Sequence, residues 1–265
     1  MSKEARDSAA AKDAYEAFAL VYDDFTANHN FELWLENLWP AIERHRPPGR
    51  NLLDVGCGTG KSFLAMLDRG WSVTACDISP QMLAIAREKA RGRASLLEAD
   101  MRNLPRIGEF DLVWCLDDAL NYMVDRDELT RALGGMQSNL APEGLLMFDV
   151  NTIKVFRTFF AEEIAIERNG RRLIWSGISD RDAPPGGFGE ARFHAEALSA
   201  SRRIDVPVHI HRERHFDEST VLDAMARAGL DCLAVYGHDD DAVPEQPLEE
   251  ERHTKAVYLG RISSE

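Results

Sequence analysis

Leu52-Leu53-Asp54-Val55-Gly56-Cys57-Gly58-Thr59-Gly60 is the stretch that decides how this chain is read. An apolar run ends in an acid and then breaks into glycines at every second position. Lacking a Cβ, glycine adopts positive φ and lets a ligand approach the backbone N–H groups. Lys61 to Arg69 follows with helical spacing, Phe63, Leu64 and Leu67 on one face and Gly70 at the end. Strand, glycine loop and helix N-terminus in this order predict a small-molecule cradle at the carboxyl edge of a parallel sheet.

Three cradles begin this way, and spacing separates them. A dinucleotide loop requires G-x-G-x-x-G or a closing alanine, where this chain has Lys61. A phosphate-binding P-loop is matched at its end by Gly60-Lys61-Ser62, but its first glycine would be Val55. The near miss keeps a P-loop nucleotidase as an alternative, because Leu112 to Asp117 also reads as an apolar strand ending in a magnesium-binding acid. The form D-x-G-x-G-x-G, from Asp54 to Gly60, fits without adjustment. It resembles motif I of the class I S-adenosylmethionine-dependent methyltransferases.

The resemblance runs through residues 52 to 152. Ser72 to Cys76 reads as a second strand closed by Asp77, about 20 residues past the glycines, where doubly wound folds read ribose hydroxyls. Ser79-Pro80 is an N-cap and first helical residue for a helix through Met82, Leu83, Ile85 and Ala86. A third strand, Ser95 to Leu97, leads into Glu98-Ala99-Asp100-Met101. A fourth, Phe110 to Cys115, leads into Leu116 to Tyr122, the place of the family's motif IV. Pro142-Glu143-Gly144 reads as a turn into a fifth strand, Leu145 to Val150. Singly, Asp77 reads as a strand-end acid, Asp100 as a turn residue and Asp54 as a loop cap. Together, three acids follow three successive strands, where open α/β sheets bind ligands.

The expected fold is therefore α/β, a doubly wound, mostly parallel seven-stranded Rossmann-like sheet. The resemblance implies S-adenosylmethionine as cofactor, held by Asp54, Gly56, Gly58, Gly60, Asp77, Ile78, Met82, Asp100, Met101 and Leu116. It also implies an N-terminal lid whose Tyr22 and Tyr15 approach the cofactor's methionine end. Three regions are expected: helical lid 1–46, cofactor-binding domain 47–152 and 217–265, and an antiparallel insertion 153–216 as substrate cap.

In the first region Tyr15, Phe18, Ala19, Tyr22 and Phe25 recur at helical spacing, as do Leu33, Trp34, Leu38 and Ile42. Their ordinary role is packing onto the sheet. In the insertion, strand-like runs occupy Glu163 to Glu167, Arg172 to Ser179, Ala191 to Ser199 and Ile204 to Phe216. Arg168-Asn169-Gly170-Arg171 is a hairpin signal. This layer is expected to roof the acceptor pocket, with Arg192, His194, Arg203, His209 and His211 as acceptor contacts. Strand alternation places His209, His211, Glu213 and His215 on one face. A solvated polar face is the ordinary reading, and a general base or substrate contact comes next. A shared metal is disfavoured, because alternate strand positions lie about 6–7 Å apart. Asn121, Tyr122, His209 and His211 are the catalytic candidates, with Asp117 and Asp118 also on the acceptor side.

Composition narrows the partners. Lys and Arg number 31 against 45 Asp and Glu, a formal charge of −14, which repels a phosphate backbone and argues against a nucleic-acid acceptor. No apolar run reaches the length of a membrane span, and Met1 to Asp13 lacks the apolar centre of a secretory signal. Cys57, Cys76, Cys115 and Cys232 form no C-x-x-C pair and suit a reducing, cytoplasmic setting. The expected activity is methyl transfer from S-adenosylmethionine to a small molecule, an amine being favoured. Methylation at oxygen or carbon is compatible with the same fold, and so is a protein that binds the cofactor without catalysis. A homodimer is left open.

Overall fold

Short apolar runs alternating with amphipathic helices build an open sheet covered on both faces. This computed structural model describes residues 3–198, 206–239 and 243–264, with side chains from Ser8 onward. Two helices, α1 (Lys3–Phe25) and α2 (Phe31–His45), precede β1 (Asn51–Val55), α3 (Lys61–Asp68), β2 (Ser72–Asp77), α4 (Pro80–Ala90) and β3 (Ala94–Glu98). Then come β4 (Phe110–Cys115), α5 (Arg126–Gln137), β5 (Leu140–Asn151) and α6 (Ile153–Arg157). The chain continues through β6 (Glu163–Arg168), β7 (Arg171–Gly177), β8 (Phe188–Ala197) and β9 (His209–Arg214). It closes with α7 (Glu218–Arg227), β10 (Leu230–His238) and β11 (Lys255–Ile262).

The large sheet has seven strands in the order β10-β11-β5-β4-β1-β2-β3, and β11 alone runs antiparallel to its neighbours. Strand order reverses between β1 and β4, so a crevice opens at their carboxyl ends. Trp34, Leu38, Phe63, Met66 and Leu83 seal one face from α2, α3 and α4. Leu129, Leu133, Met136, Val221 and Met225 seal the other from α5 and α7. Burying each such side chain contributes about 1.5–3 kcal/mol, offset by the entropy of ordering the chain.

The insertion forms a separate antiparallel sheet, β6-β7-β8-β9. Its first turn has positive φ at both Asn169 and Gly170, 49° and 75°, as a two-residue hairpin matching strand twist requires. Phe18 and Val21 of α1 pack with Phe156, Phe160, Trp175 and Phe193, fastening this layer to the N-terminal helix.

Three expectations change. Pro142-Glu143-Gly144 is not a turn before β5 but an irregularity inside it, the register jumping from Leu140 opposite Phe110 to Leu145 opposite Leu112. A bulge tolerates proline's missing N–H, and a Cβ on Gly144 would sit 2.8 Å from the Phe110 carbonyl oxygen. Helices α5 and α6 are additional, α5 masked by its Gly134-Gly135 pair and α6 by its five-residue length. Third, the polar stripe of β9 is not solvated. His211, Glu213 and His215 are 1%, 4% and 1% exposed, whereas Val208 and Ile210 are 63% and 51% exposed. The strand turns its polar side inward because partners wait there: Tyr122, Asn151 and Glu250. Residues 199–205, including Arg203, lie outside the described residues.

Candidate active site

The cradle is held by its own backbone. The N–H groups of Gly56 and Cys57 both donate to the Cys76 carbonyl, at 2.8 and 3.0 Å, and Gly60 N–H closes on the Cys57 carbonyl at 2.9 Å. Gly60 has φ +89°, and a Cβ there would lie 2.7 Å from the Phe63 ring. Asp77 fastens the loop: one carboxylate oxygen accepts from Gly58 N–H and the other from Ser79 N–H, each at 2.8 Å. Burial pushes its pKa up to about 6, against the opposing pull of the Ser79, Gly58 and Ile78 N–H groups.

A cleft opens beside this loop. Eleven expected residues line it: Tyr15, Tyr22, Gly56, Gly58, Asp77, Ile78, Asp100, Met101, Leu116, Asp117 and Tyr122. Three expected cofactor residues do not. Asp54 is 1% exposed and accepts the Ser62 hydroxyl, and burial raises its pKa to about 7. It ties β1 to the first turn of α3, which is the loop-capping role. Met82 is fully buried, its N–H taken by the Ser79 hydroxyl at 3.2 Å. Gly60 sits behind the loop against Phe63. These three are frame rather than wall.

The catalytic candidates also divide. Tyr122 faces the cleft. Asn121 is fully buried; its carbonyl accepts from Asn151 N–H at 2.9 Å and its amide donates to the Arg214 carbonyl at 2.8 Å. His211 lies behind Tyr122, its Nδ1 2.6 Å from the tyrosine hydroxyl, and burial followed by His209 pulls its pKa down to about 3. Neither His209, His194 nor Arg192 lines the cleft, so the antiparallel layer backs the wall instead of forming the expected roof.

Helix α1 straps the open side through polar contacts. Ser8 donates to Asp100, Lys12 pairs with Glu98 at 2.5 Å, and Ser79 donates to Glu16 at 3.0 Å. The Tyr22 hydroxyl donates to Asp117 at 3.1 Å, and Asp23 accepts from Thr59 at 2.7 Å. Lys61 closes on the Thr26 carbonyl at 3.0 Å. Contacts of this partly exposed kind contribute little each. Saturating S-adenosylhomocysteine is expected to slow cleavage within α1 under limited proteolysis, because a ligand held by the closed form lowers the open population. Equal cleavage rates with and without it would remove the lid role.

At the far end, in the turn after β4, lies a charged cluster whose partners are distant in the sequence. Asp117 and Asp118 are consecutive non-glycine residues with φ +63° and +57°. The Asp149 carboxylate grips both of their N–H groups, at 2.7 and 3.0 Å. Lys255 places its ammonium 2.7 Å from Asp118, 3.2 Å from Asp149 and 3.7 Å from Asp117. Burial opposes ionisation of Asp117, but Lys255, His29, the Tyr22 hydroxyl and Lys61 together hold its pKa below the ordinary value. Burial pushes Asp118 up to about 7, and Glu213, hydrogen-bonded to Asn151 at 2.8 Å, well above its ordinary range. Asp149 does leave one signal in the sequence: an acid inside the otherwise apolar Leu145 to Val150. Among the described residues no His, Cys, Asp and Glu group has metal-holding geometry.

Fold and cleft define an open α/β enzyme with an acid and a glycine cradle at the switch point of its sheet. Residues 52–144 match the family model for a methyltransferase domain. YqeM of Bacillus subtilis (strain 168), named as a methyltransferase, is 30% identical over 172 residues, covering 63% of this chain and 68% of that protein. The chain belongs to the S-adenosylmethionine-dependent methyltransferases. The crystal structure of an S-adenosylmethionine-dependent methyltransferase from Clostridium acetobutylicum ATCC 824 superposes with a TM-score of 0.76 at 20% identity, covering 95% of this chain and 100% of that one. The sugar N-methyltransferase KedS8 from Streptoalloteichus sp. ATCC 53650 gives 0.68 at 25% identity, covering 91% and 92%.

The residues fit the cofactor. A Cβ on Gly58 would meet nothing within 4 Å, so that side of the loop is open. Gly56 is tightly bounded by Ala119 and Met101, 3.1 and 3.2 Å from where a Cβ would stand. Asp77 would hold the ribose, with Asp100, Ile78 and Met101 around the base. When bound, S-adenosylmethionine supplies an electrophilic methyl group on a sulfonium.

Proposed function

We propose that this enzyme methylates the amino nitrogen of a small-molecule acceptor that docks against Asp117. The observation that carries this reading is the Asp117 carboxylate in the cleft wall, 3.7 Å from the Lys255 ammonium that helps hold its pKa below the ordinary value, with Tyr15, Tyr22 and Tyr122 lining the same cleft. An amine becomes positive as its C–N bond forms, and a fixed carboxylate in a water-poor cleft stabilises that developing charge. An N–H donated to Asp117 also turns the nitrogen lone pair away from the carboxylate and towards the incoming methyl. Aromatic faces around it favour a cation further.

Oxygen as acceptor fits less well. A hydroxyl benefits from a general base titrating near the working pH. Asp117 is held too acidic, and His211 is sealed behind Tyr122. Asp118 is turned to Lys255 and Asn151. The sugar N-methyltransferase KedS8 supports nitrogen by similarity. The test is incubation with S-adenosylmethionine and paired acceptors differing only as amine or alcohol: amino sugars, amino acids and simple amines. Mass spectrometry should find the added methyl on nitrogen. Methylation confined to the alcohol members would overturn the reading.

A further inference from the structure

Three carboxylates, Asp117, Asp118 and Asp149, converge on one ammonium, that of Lys255. We propose that Lys255 and Asp149 are positioning residues that hold Asp117 aimed into the cleft as the acceptor's docking carboxylate, a role that rests on the amine reading above. The geometry is specific. Two successive left-handed non-glycine residues are strained and persist where surroundings over-determine them. Here the determinant is Asp149, whose two oxygens take the two N–H groups that this turn points the same way.

A carboxylate so placed is half-buried and negative, beside two more. Lys255, 11% exposed and reaching all three, is what makes that placement tolerable. From β11 it crosses to β5 at Asp149 and to the turn after β4 at Asp117 and Asp118. Asn151 extends the bracing to the antiparallel layer, donating to Asp118 at 3.0 Å and to Glu213 at 2.8 Å. With Asp118 and Asp149 drawn onto Lys255 and the backbone, Asp117 keeps the longest of the three Lys255 contacts, at 3.7 Å. Its carboxylate meets the cleft beside the Tyr22 hydroxyl.

The groups facing Asp117 are Tyr22 from α1, His29 from the connection after it, Lys61 from α3, Asp118, Asp149, Glu213 from β9, and Lys255. Among the cations of this set Lys255 acts most strongly on Asp117, so its removal has a signature of its own. The experiment is a carbon-13 NMR titration of the Asp117 carboxyl, assigned by its loss in Asp117→Asn, in wild type, Lys255→Met, Lys255→Arg and Asp149→Asn. Calorimetry with benzylamine and with benzyl alcohol, both in saturating S-adenosylhomocysteine, accompanies it.

In Lys255→Met the Asp117 titration should move to higher pH, and in Lys255→Arg it should stay near wild type. Benzylamine binding should fall at least tenfold in Lys255→Met and in Asp149→Asn, with S-adenosylhomocysteine affinity within threefold. Should Lys255→Met fail to fold with its carboxylates uncompensated, Asp149→Asn carries the test, since it loosens the turn without removing the cation. An unmoved titration in Lys255→Met together with undiminished benzylamine binding would overturn the proposal. So would undiminished binding in a folded Asp149→Asn. Wild type binding benzylamine no better than benzyl alcohol, with the titration still shifting in Lys255→Met, would instead remove the amine reading and leave the positioning role standing.

Discussion

Asp117→Asn is expected to lower kcat/KM for an amine acceptor about 100-fold, while S-adenosylhomocysteine affinity and melting temperature stay close to wild type. Asparagine has the same shape, tolerates the left-handed φ of +63°, and its carbonyl still accepts the Tyr22 hydroxyl. What disappears is the charge. A charge-assisted hydrogen bond is worth about 1.5–3 kcal/mol over its absence, and the upper end applies where charge develops in the reaction itself. The loss should appear in kcat as well as KM, because the attacking nitrogen is more positive in the transition state than on arrival. Asp117 is held below the ordinary carboxylate value, so it stays ionised through the neutral range. The wild-type acid limb should therefore follow the acceptor's own pKa, moving when a less basic amine is used. A limb fixed across amines of different basicity, or a variant as active as wild type, would rule out this role.

How far the sequence can be read follows from what each signal depends on. The strand–loop–helix around Asp54 to Gly60 is local chemistry, so β1, α3 and the glycine cradle are legible residue by residue. Asp77 and Asp100 are legible because an acid just past an apolar strand falls at the carboxyl edge whatever the rest of the chain does. The β9 stripe is legible as a stripe but not in its direction. Alternation gives two faces, and which one is inward depends on Tyr122, Asn151 and Glu250, none of them local to β9. Lys255 and Asp149 are hidden for a similar reason. They meet across β11 and β5 in a register in which Lys255 faces Asn151 and Val257 faces Asp149, a pairing no window of sequence contains. Asp54 and Met82 run the other way. Motif membership suggests ligand contact, whereas burial assigns them to the frame behind the cleft.

Asp77→Ala should weaken S-adenosylhomocysteine by about 10- to 150-fold, the equivalent of about 1.5–3 kcal/mol for lost charge-assisted contacts to ribose hydroxyls. The structure adds a second consequence, because the same carboxylate holds the Gly58 and Ser79 N–H groups. Losing both bonds loosens the loop. Yet the Asp77 pKa stands at about 6 against an ordinary 3.8, so the folded protein disfavours its charge by about 3 kcal/mol above pH 6. The sign follows from proton binding: between pH 3.8 and about 6 the folded chain holds a proton that the unfolded chain releases, so stability falls as pH rises through that window. Asp77→Ala removes this penalty along with the two bonds, and the melting temperature at pH 7 should change far less than the affinity. Ligand binding has the opposite slope. Ribose hydroxyls donate to the ionised carboxylate, so wild-type affinity should be full above about pH 6 and decline below it, approaching tenfold per pH unit, with proton release on binding. Calorimetry at pH 5, 6 and 7.5 in buffers of different ionisation enthalpy would measure both. A flat profile in wild type, or equal affinities of wild type and Asp77→Ala at pH 7.5, would show that the ribose is held elsewhere.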